Sequence, residues 1–152
     1  MGLDRDSPRL HRRLVDALYT EAMLLADEAR AYFDEGGRQE RDAMAPMARV
    51  AFSCESLKVT TRLMHVIAWL LTQRAVDAGE MSASDALDPS RRLGAPPHSD
   101  PAVIGDMPTQ ARALVNASID LFRRTARLDA DQLDGPVQSP ARAILERLMV
   151  SI

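Results

Sequence analysis

Apolar residues recur at intervals of three and four over most of the chain, which is the spacing of one face of an α-helix. The first such stripe runs from Leu10 to Phe33. A Ser-Pro pair precedes it and a Gly-Gly pair follows it, which are typical start and stop signals of a helix. We therefore predict a first helix over about residues 9–35.

Three further segments have the same spacing, and we predict helices over about residues 46–79, 108–129 and 139–150. The second of the four helices would be roughly 50 Å long at 1.5 Å per residue. Five of the nine prolines fall in residues 88–108, which we interpret as an irregular crossover between helices. The prediction is a single all-α domain over residues 1–152. It is an antiparallel three-helix bundle with a very long central helix and a short C-terminal helix.

The second helix has two apolar faces, whereas an ordinary bundle helix has one. We expect the first face to pack in the core of the bundle. Its members are Val50, Leu57, Thr61, Met64, Ala68, Leu71 and Ala75. The opposite face consists of Phe52, Val59, Leu63, Val66 and Leu70.

The opposite face needs a cover, because leaving its side chains in water would forgo about 1.5–3 kcal/mol for each. Two covers fit the sequence. The first and third helices of the same chain both cover it in a wide wrap, or a second copy of the chain covers it. We favour a homodimer whose interface is formed by the opposite face.

A polar strip lies between these two faces, and it includes the only lysine and the only tryptophan of the chain. Its members are Glu55, Lys58, Arg62, His65, Trp69 and Gln73. Arg, His and Trp together are typical of a protein–protein contact, so we expect a partner to bind at residues 58, 62, 65, 69 and 73. The alternative is a solvated edge with Trp69 half-buried at a boundary of the bundle.

Composition and motifs narrow the choice of function. The net charge of −3 and the lack of a basic helix with aromatics argue against nucleic-acid binding. No histidine has a Glu-x-x-His partner, and Cys54 lies on an apolar helix without a neighbouring base, so we expect no metal, no cofactor and no enzymatic activity. No stretch is long enough to cross a membrane, and the N-terminus has no signal peptide, which favours the cytoplasm.

The segment Ser53–Glu80 contains Glu-Ser-Leu, Thr-Thr-Arg-Leu-Met, Trp-Leu-Leu and Gln-Arg-Ala-Val in this order. These motifs resemble the alphaproteobacterial DUF1465 family, whose best-known member is RcdA, the regulator of CtrA degradation. The resemblance covers about residues 10–128 and is most specific in residues 53–80.

The resemblance implies a dimeric three-helix bundle that acts as an adaptor of the ClpXP protease. It implies protein partners: the protease, a CpdR-like response regulator and client proteins, with recruitment to a cell pole. An adaptor raises the effective concentration of its client and performs no chemistry. A scaffolding homodimer without a link to a protease remains the alternative.

Overall fold

The computed structural model describes residues 3–133 and 147–148. Within them the chain is helical, with no β-strand. The long helices are α1 (Leu3–Ala31), α3 (Pro46–Asp77) and α6 (Thr109–Leu133), and the short ones are α2 (Arg38–Asp42), α4 (Ala83–Ala86) and α5 (Pro101–Gly105). A π-helical turn, Tyr32–Gly36, extends α1, and a 3₁₀ turn, Pro89–Arg91, follows α4.

The three long helices all contact one another, with α3 between α1 and α6. Contacts between α1 and α3 join residue 16 to residue 74 and residue 33 to residue 52, so these helices are antiparallel. Contacts between α3 and α6 join residue 62 to residue 118 and residue 73 to residue 132, so these two run in the same direction.

The predicted all-α bundle with a long central helix is confirmed, but α6 is not antiparallel to α3. A helix parallel to its predecessor must start again at the same end of the bundle. Residues 78–108 therefore carry the chain back along α3, which explains the length of this connection.

The helix boundaries follow the capping signals except at the start of α1. Gly79 ends α3 with a φ of 75°, and Glu80 N donates to the Ala75 carbonyl over 2.9 Å, which is a Schellman cap. However, α1 begins at Leu3 and contains Pro8, because a proline near the start of a helix removes only one backbone hydrogen bond. The helix predicted over residues 139–150 lies outside the described residues, apart from residues 147–148, which are helical.

The connection between α3 and α6 is more ordered than an irregular loop. Ser82 caps α4, Asp88 caps the 3₁₀ turn and Asp100 caps α5, each by accepting a hydrogen bond from a backbone N–H. Leu93 and Ile104 from this connection are buried in the core. The connection is thus a packed layer along the bundle.

Side-chain contacts from α1 hold the bundle together at both ends. Tyr32, Phe33 and Phe52 form an aromatic cluster, with 5.3 Å between the ring centroids of the two phenylalanines. Toward the C-terminal end of α3, the Arg74 guanidinium lies over the ring of Tyr19 on α1, 3.9 Å from the ring centroid. None of the described helices combines the length and the apolar character that crossing a membrane requires.

Candidate functional site

One face of α3, which we call the covered face, is enclosed by α1 and α6. It includes the five residues expected at a dimer interface, which are at most 3% exposed: Phe52, Val59, Leu63, Val66 and Leu70. The structure therefore shows that helices of the same chain cover this face, which is the first of the two possible covers. These five side chains cannot contact a second copy unless the bundle opens, which corrects the sequence-based location of the interface.

The other apolar face of α3, which we expected to pack in the core, is exposed to solvent instead. The exposed residues Met47, Val50, Cys54, Leu57, Thr61, Met64, Ala68 and Leu71 alternate in steps of three and four, and we call this row the seam. Its large apolar side chains are 48–81% exposed. Steps of three and four keep a row on one side of a helix over many turns, as in a coiled coil.

Charge is nearly absent from the exposed part of α3 between residues 50 and 72. Only four residues of this span have an acidic, basic or imidazole side chain. Two of them, Glu55 and Arg62, are buried. Lys58 and His65 remain, at the edge of the seam. A long solvent-facing surface without charges is unusual for a monomer and typical of the core of a protein interface.

The predicted polar strip is mostly buried and forms a hydrogen-bond network. Arg62, which is 1% exposed, donates through Nη2 to Ser99 Oγ (2.6 Å) and to the Pro97 carbonyl (3.0 Å). Its Nη1 donates to Ser118 Oγ over 3.3 Å. Ser99 Oγ in turn donates to Glu55 Oε2 over 2.6 Å. Arg62 thus joins α3, the connection and α6 at one point.

Burial lowers the pKa of Arg62, and the nearby Glu55 carboxylate opposes this shift. An arginine keeps its proton even so, because its ordinary pKa lies above 12. A buried guanidinium is costly unless polar groups satisfy it, and here three neutral oxygens do so. The network therefore fixes the position of the connection on the bundle.

A second polar cluster lies two turns farther along α3. Trp69 Nε1 donates to Asp129 Oδ1 over 2.9 Å. The Arg92 guanidinium binds the same carboxylate through two nitrogens. Nε donates to Oδ1 over 2.6 Å, and Nη2 donates to Oδ2 over 2.9 Å. This hydrogen bonding to Asp129 raises the pKa of Arg92, against the effect of burial. A two-pronged Arg–carboxylate pair gives geometric specificity as well as energy.

The remaining strip residues differ in their exposure. Gln73 is buried and accepts a hydrogen bond from Gln132, while its own Nε2 finds no acceptor among the described residues. Lys58 Nζ pairs with Glu55 Oε1 over 3.2 Å at the surface, and His65 is exposed. Of the five predicted partner contacts, only Lys58 and His65 are therefore accessible.

No group of acidic, histidine or cysteine side chains that could hold a metal ion occurs in residues 3–133. Cys54 is exposed on the seam, not in an apolar core position.

Sequence reasoning missed Ser99, Arg92 and Asp129, which complete the two polar clusters. One signal was present. Ser118, Thr125 and Asp129 fall on the apolar stripe of the last long helix, and each is buried. Polar residues at core positions require hydrogen-bond partners, so they point to a buried polar layer between this helix and its neighbour.

A family model described as a protein of unknown function, DUF1465, matches residues 7–151. The chain belongs to the DUF1465 family. The match extends over all of the helices described above, including the connection. No curated protein matches the chain significantly.

Among solved structures, the crystal structure of RcdA from Caulobacter crescentus CB15 is similar to this DUF1465 protein. The two share 33% sequence identity and superpose with a TM-score of 0.63. The similar region covers 76% of this chain and 88% of the RcdA chain. The similarity therefore extends over about three quarters of this chain.

Proposed function

We propose that this DUF1465 protein is a non-enzymatic adaptor that binds client proteins and delivers them to the ClpXP protease. The observation that carries this proposal is the similarity to RcdA across most of both chains. The partners we propose are the protease, a CpdR-like response regulator and the clients, in the cytoplasm and with recruitment to a cell pole. An adaptor accelerates degradation by raising the effective concentration of the client near the protease.

We further propose that the protein works as a homodimer in which two copies pack along the seam. The same row of residues on both copies would satisfy a two-fold axis, which requires a self-complementary surface. Thr61 and Ala68 are small, so the two helices can approach closely between the larger side chains. Each large side chain would contribute roughly 1–2 kcal/mol on burial, because it is already partly covered.

Lys58 and His65 lie beside the seam, and we assign to them contacts with a partner protein or with the second copy. Arg62, Trp69 and Gln73 would act on partner binding only indirectly. They hold the connection in place on α3 and α6, and so they shape the surface that the connection presents.

The proposal is tested by reconstituted degradation. Purified ClpXP, the response regulator and a client identified by trapping with an inactive protease are incubated with and without the DUF1465 protein. We expect faster client turnover with the adaptor. Ala113→Asp serves as a control, because it adds a carboxylate at an exposed position of α6 outside the seam. We expect this variant to accelerate turnover like the unaltered chain.

Unchanged turnover of every client that binds the protein would contradict the adaptor function. Binding without any effect on degradation would instead favour a scaffolding dimer.

A further inference from the structure

A cleft of about 820 Å³ lies between the connection and α6, and none of the described residues that line it belongs to α1. Ile104, Ile119 and Phe122 give it an apolar floor, and three prolines of the connection line one side. Its size lies within the range of known ligand sites, about 300–1,000 Å³.

The cleft is lined by basic side chains. Arg112 and Arg123 lie on exposed turns of α6, His98 lies on the connection, and the buried Arg62 forms part of the base. None of the described residues that line the cleft is acidic. The nearby carboxylates have other roles, since Asp100 caps α5 and Asp120 pairs with Arg124.

Hydrogen bonds to a buried side chain fix the base of the cleft. The Arg62 guanidinium is held by Ser99, Pro97 and Ser118, all of which bind it through neutral oxygens. No described carboxylate lies within ion-pair distance of Arg62, and Arg123 has no described ion-pair partner. The positive charge around the cleft is therefore only partly neutralised.

The wall formed by residues 94–99 has neither helical nor strand structure, and Gly94 within it has a φ of 75°. Its backbone makes no hydrogen bond with another backbone group in the described part of the chain. The remaining unpaired backbone N–H and C=O groups of this segment can bond to polar groups of a ligand. A small anion would use the arginines but leave the apolar floor empty, and a fatty acid would leave this backbone unused.

We propose that the cleft binds an extended peptide segment of a partner protein in which apolar side chains alternate with carboxylates. The apolar side chains would pack on Ile104, Ile119 and Phe122, and the carboxylates would face Arg112 and Arg123. This inference deepens the adaptor proposal, since it gives the chemistry by which a partner is recognised.

Fluorescence anisotropy tests the cleft directly, with a labelled peptide in which leucine and glutamate alternate. Peptides with lysine in place of glutamate, or serine in place of leucine, serve as ligand controls. Arg123→Glu should weaken binding about tenfold or more, because it replaces an attraction by a repulsion. Arg127→Glu, at an exposed position one turn along α6 and outside the cleft, should change the affinity by less than about twofold.

Ile119→Ser should also weaken binding, because it removes part of the apolar floor, and thermal melting of each variant verifies that it is folded. The proposal is overturned if the leucine–glutamate peptide does not bind. It is also overturned if the lysine peptide binds equally well, or if Arg127→Glu weakens binding as much as Arg123→Glu.

Competition identifies other occupants. Displacement of the peptide by oleate or inorganic phosphate with equal strength would overturn recognition of a peptide in favour of those ligands. The measurement contains no protease, so its outcome is independent of the degradation assay.

Discussion

The two long faces of α3 invert the usual arrangement of a soluble helix. The covered face contains Arg62, Glu55 and Gln73 among its apolar residues, and each of these polar side chains is buried. The seam on the other side is apolar and open to solvent. The connection and α6 supply hydrogen-bond partners to all three of these polar side chains, and only Gln73 Nε2 lacks an acceptor among the described residues. The seam, by contrast, has no cover within the described chain.

The two faces of α3 therefore have different structural roles. The covered face builds the fold and fixes the connection, because its hydrogen bonds demand a defined geometry. The seam demands only apolar area and a regular spacing, which a second helix can match. Substitutions on the covered face should therefore change stability, and substitutions on the seam should change association.

Leu70 and Leu71 provide the sharpest contrast, because they are adjacent in the sequence and lie on the two different faces. Leu70→Asp should destabilise the fold by about 4–5 kcal/mol or more, since it places an unpaired carboxylate in the core. Leu71→Asp should change the free energy of unfolding of the single chain by less than about 1 kcal/mol. Urea denaturation followed by circular dichroism, at protein concentrations at which light scattering shows a monomer, measures both values. Similar losses for the two variants would refute the assignment of the faces.

Arg62→Ala should destabilise the fold by about 3 kcal/mol, because it leaves the buried hydroxyls of Ser99 and Ser118 and the Pro97 carbonyl without their donor. It also removes the positive charge that interacts with the buried Glu55 carboxylate. Arg62→Lys should recover little of this loss, since an ammonium cannot reach the same three acceptors in one plane. Chemical denaturation tests both variants. An unaffected Arg62→Ala variant would show that the strip acts as a solvated surface.

Asp129→Ala should lower the free energy of unfolding by about 2 kcal/mol. It removes the acceptor of the Trp69 indole and the partner of Arg92, and the loss is moderated because the side chain of Arg92 is partly exposed. Asp131→Ala removes a similar carboxylate at an exposed position of α6 and is the matched control. Equal melting of the two variants would contradict the role of the second cluster.

The smallest effect should come from Tyr32, whose ring packs against Phe52 at one end of the covered face. Its hydroxyl donates to Glu40 Oε2 over 2.6 Å, and burial together with this bond raises its pKa. Tyr32→Phe should cost about 1 kcal/mol at neutral pH.

The raised pKa also sets a pH dependence. The contribution of Tyr32 to stability is fully present below the pKa of the unfolded state, about 10, and is lost as the pH rises through the higher folded-state value. Above pH of about 10 the unaltered protein should therefore lose stability more steeply than Tyr32→Phe. Equal slopes in denaturation series at alkaline pH would contradict this.

The sequence was sufficient to predict the long helices and the presence of two apolar faces on the central helix. It could not decide which face is covered, because both have helical spacing and similar apolar content. The decision depends on partners far away in the chain. Trp69 and Arg62 fit the covered face only because Asp129, Ser99 and Ser118 arrive there after the chain has returned along α3.

The direction of α6 was missed for a related reason. A proline-rich crossover is compatible with either direction, and only contacts such as Arg62 with Ser118 fix the parallel one. By contrast, the buried polar layer left a trace in the sequence, since Ser118 and Asp129 occupy apolar-stripe positions on α6.

The central claim is that the open, uncharged seam of α3 receives a second copy of the chain. Light scattering after size exclusion at micromolar concentration tests it most directly, on the unaltered chain and on Leu57→Asp, with Ala113→Asp as the control. We predict a dimer for the unaltered chain and the control, and a folded monomer for Leu57→Asp with a normal circular dichroism spectrum. A monomeric unaltered chain, or a Leu57→Asp variant that stays dimeric, would contradict the claim.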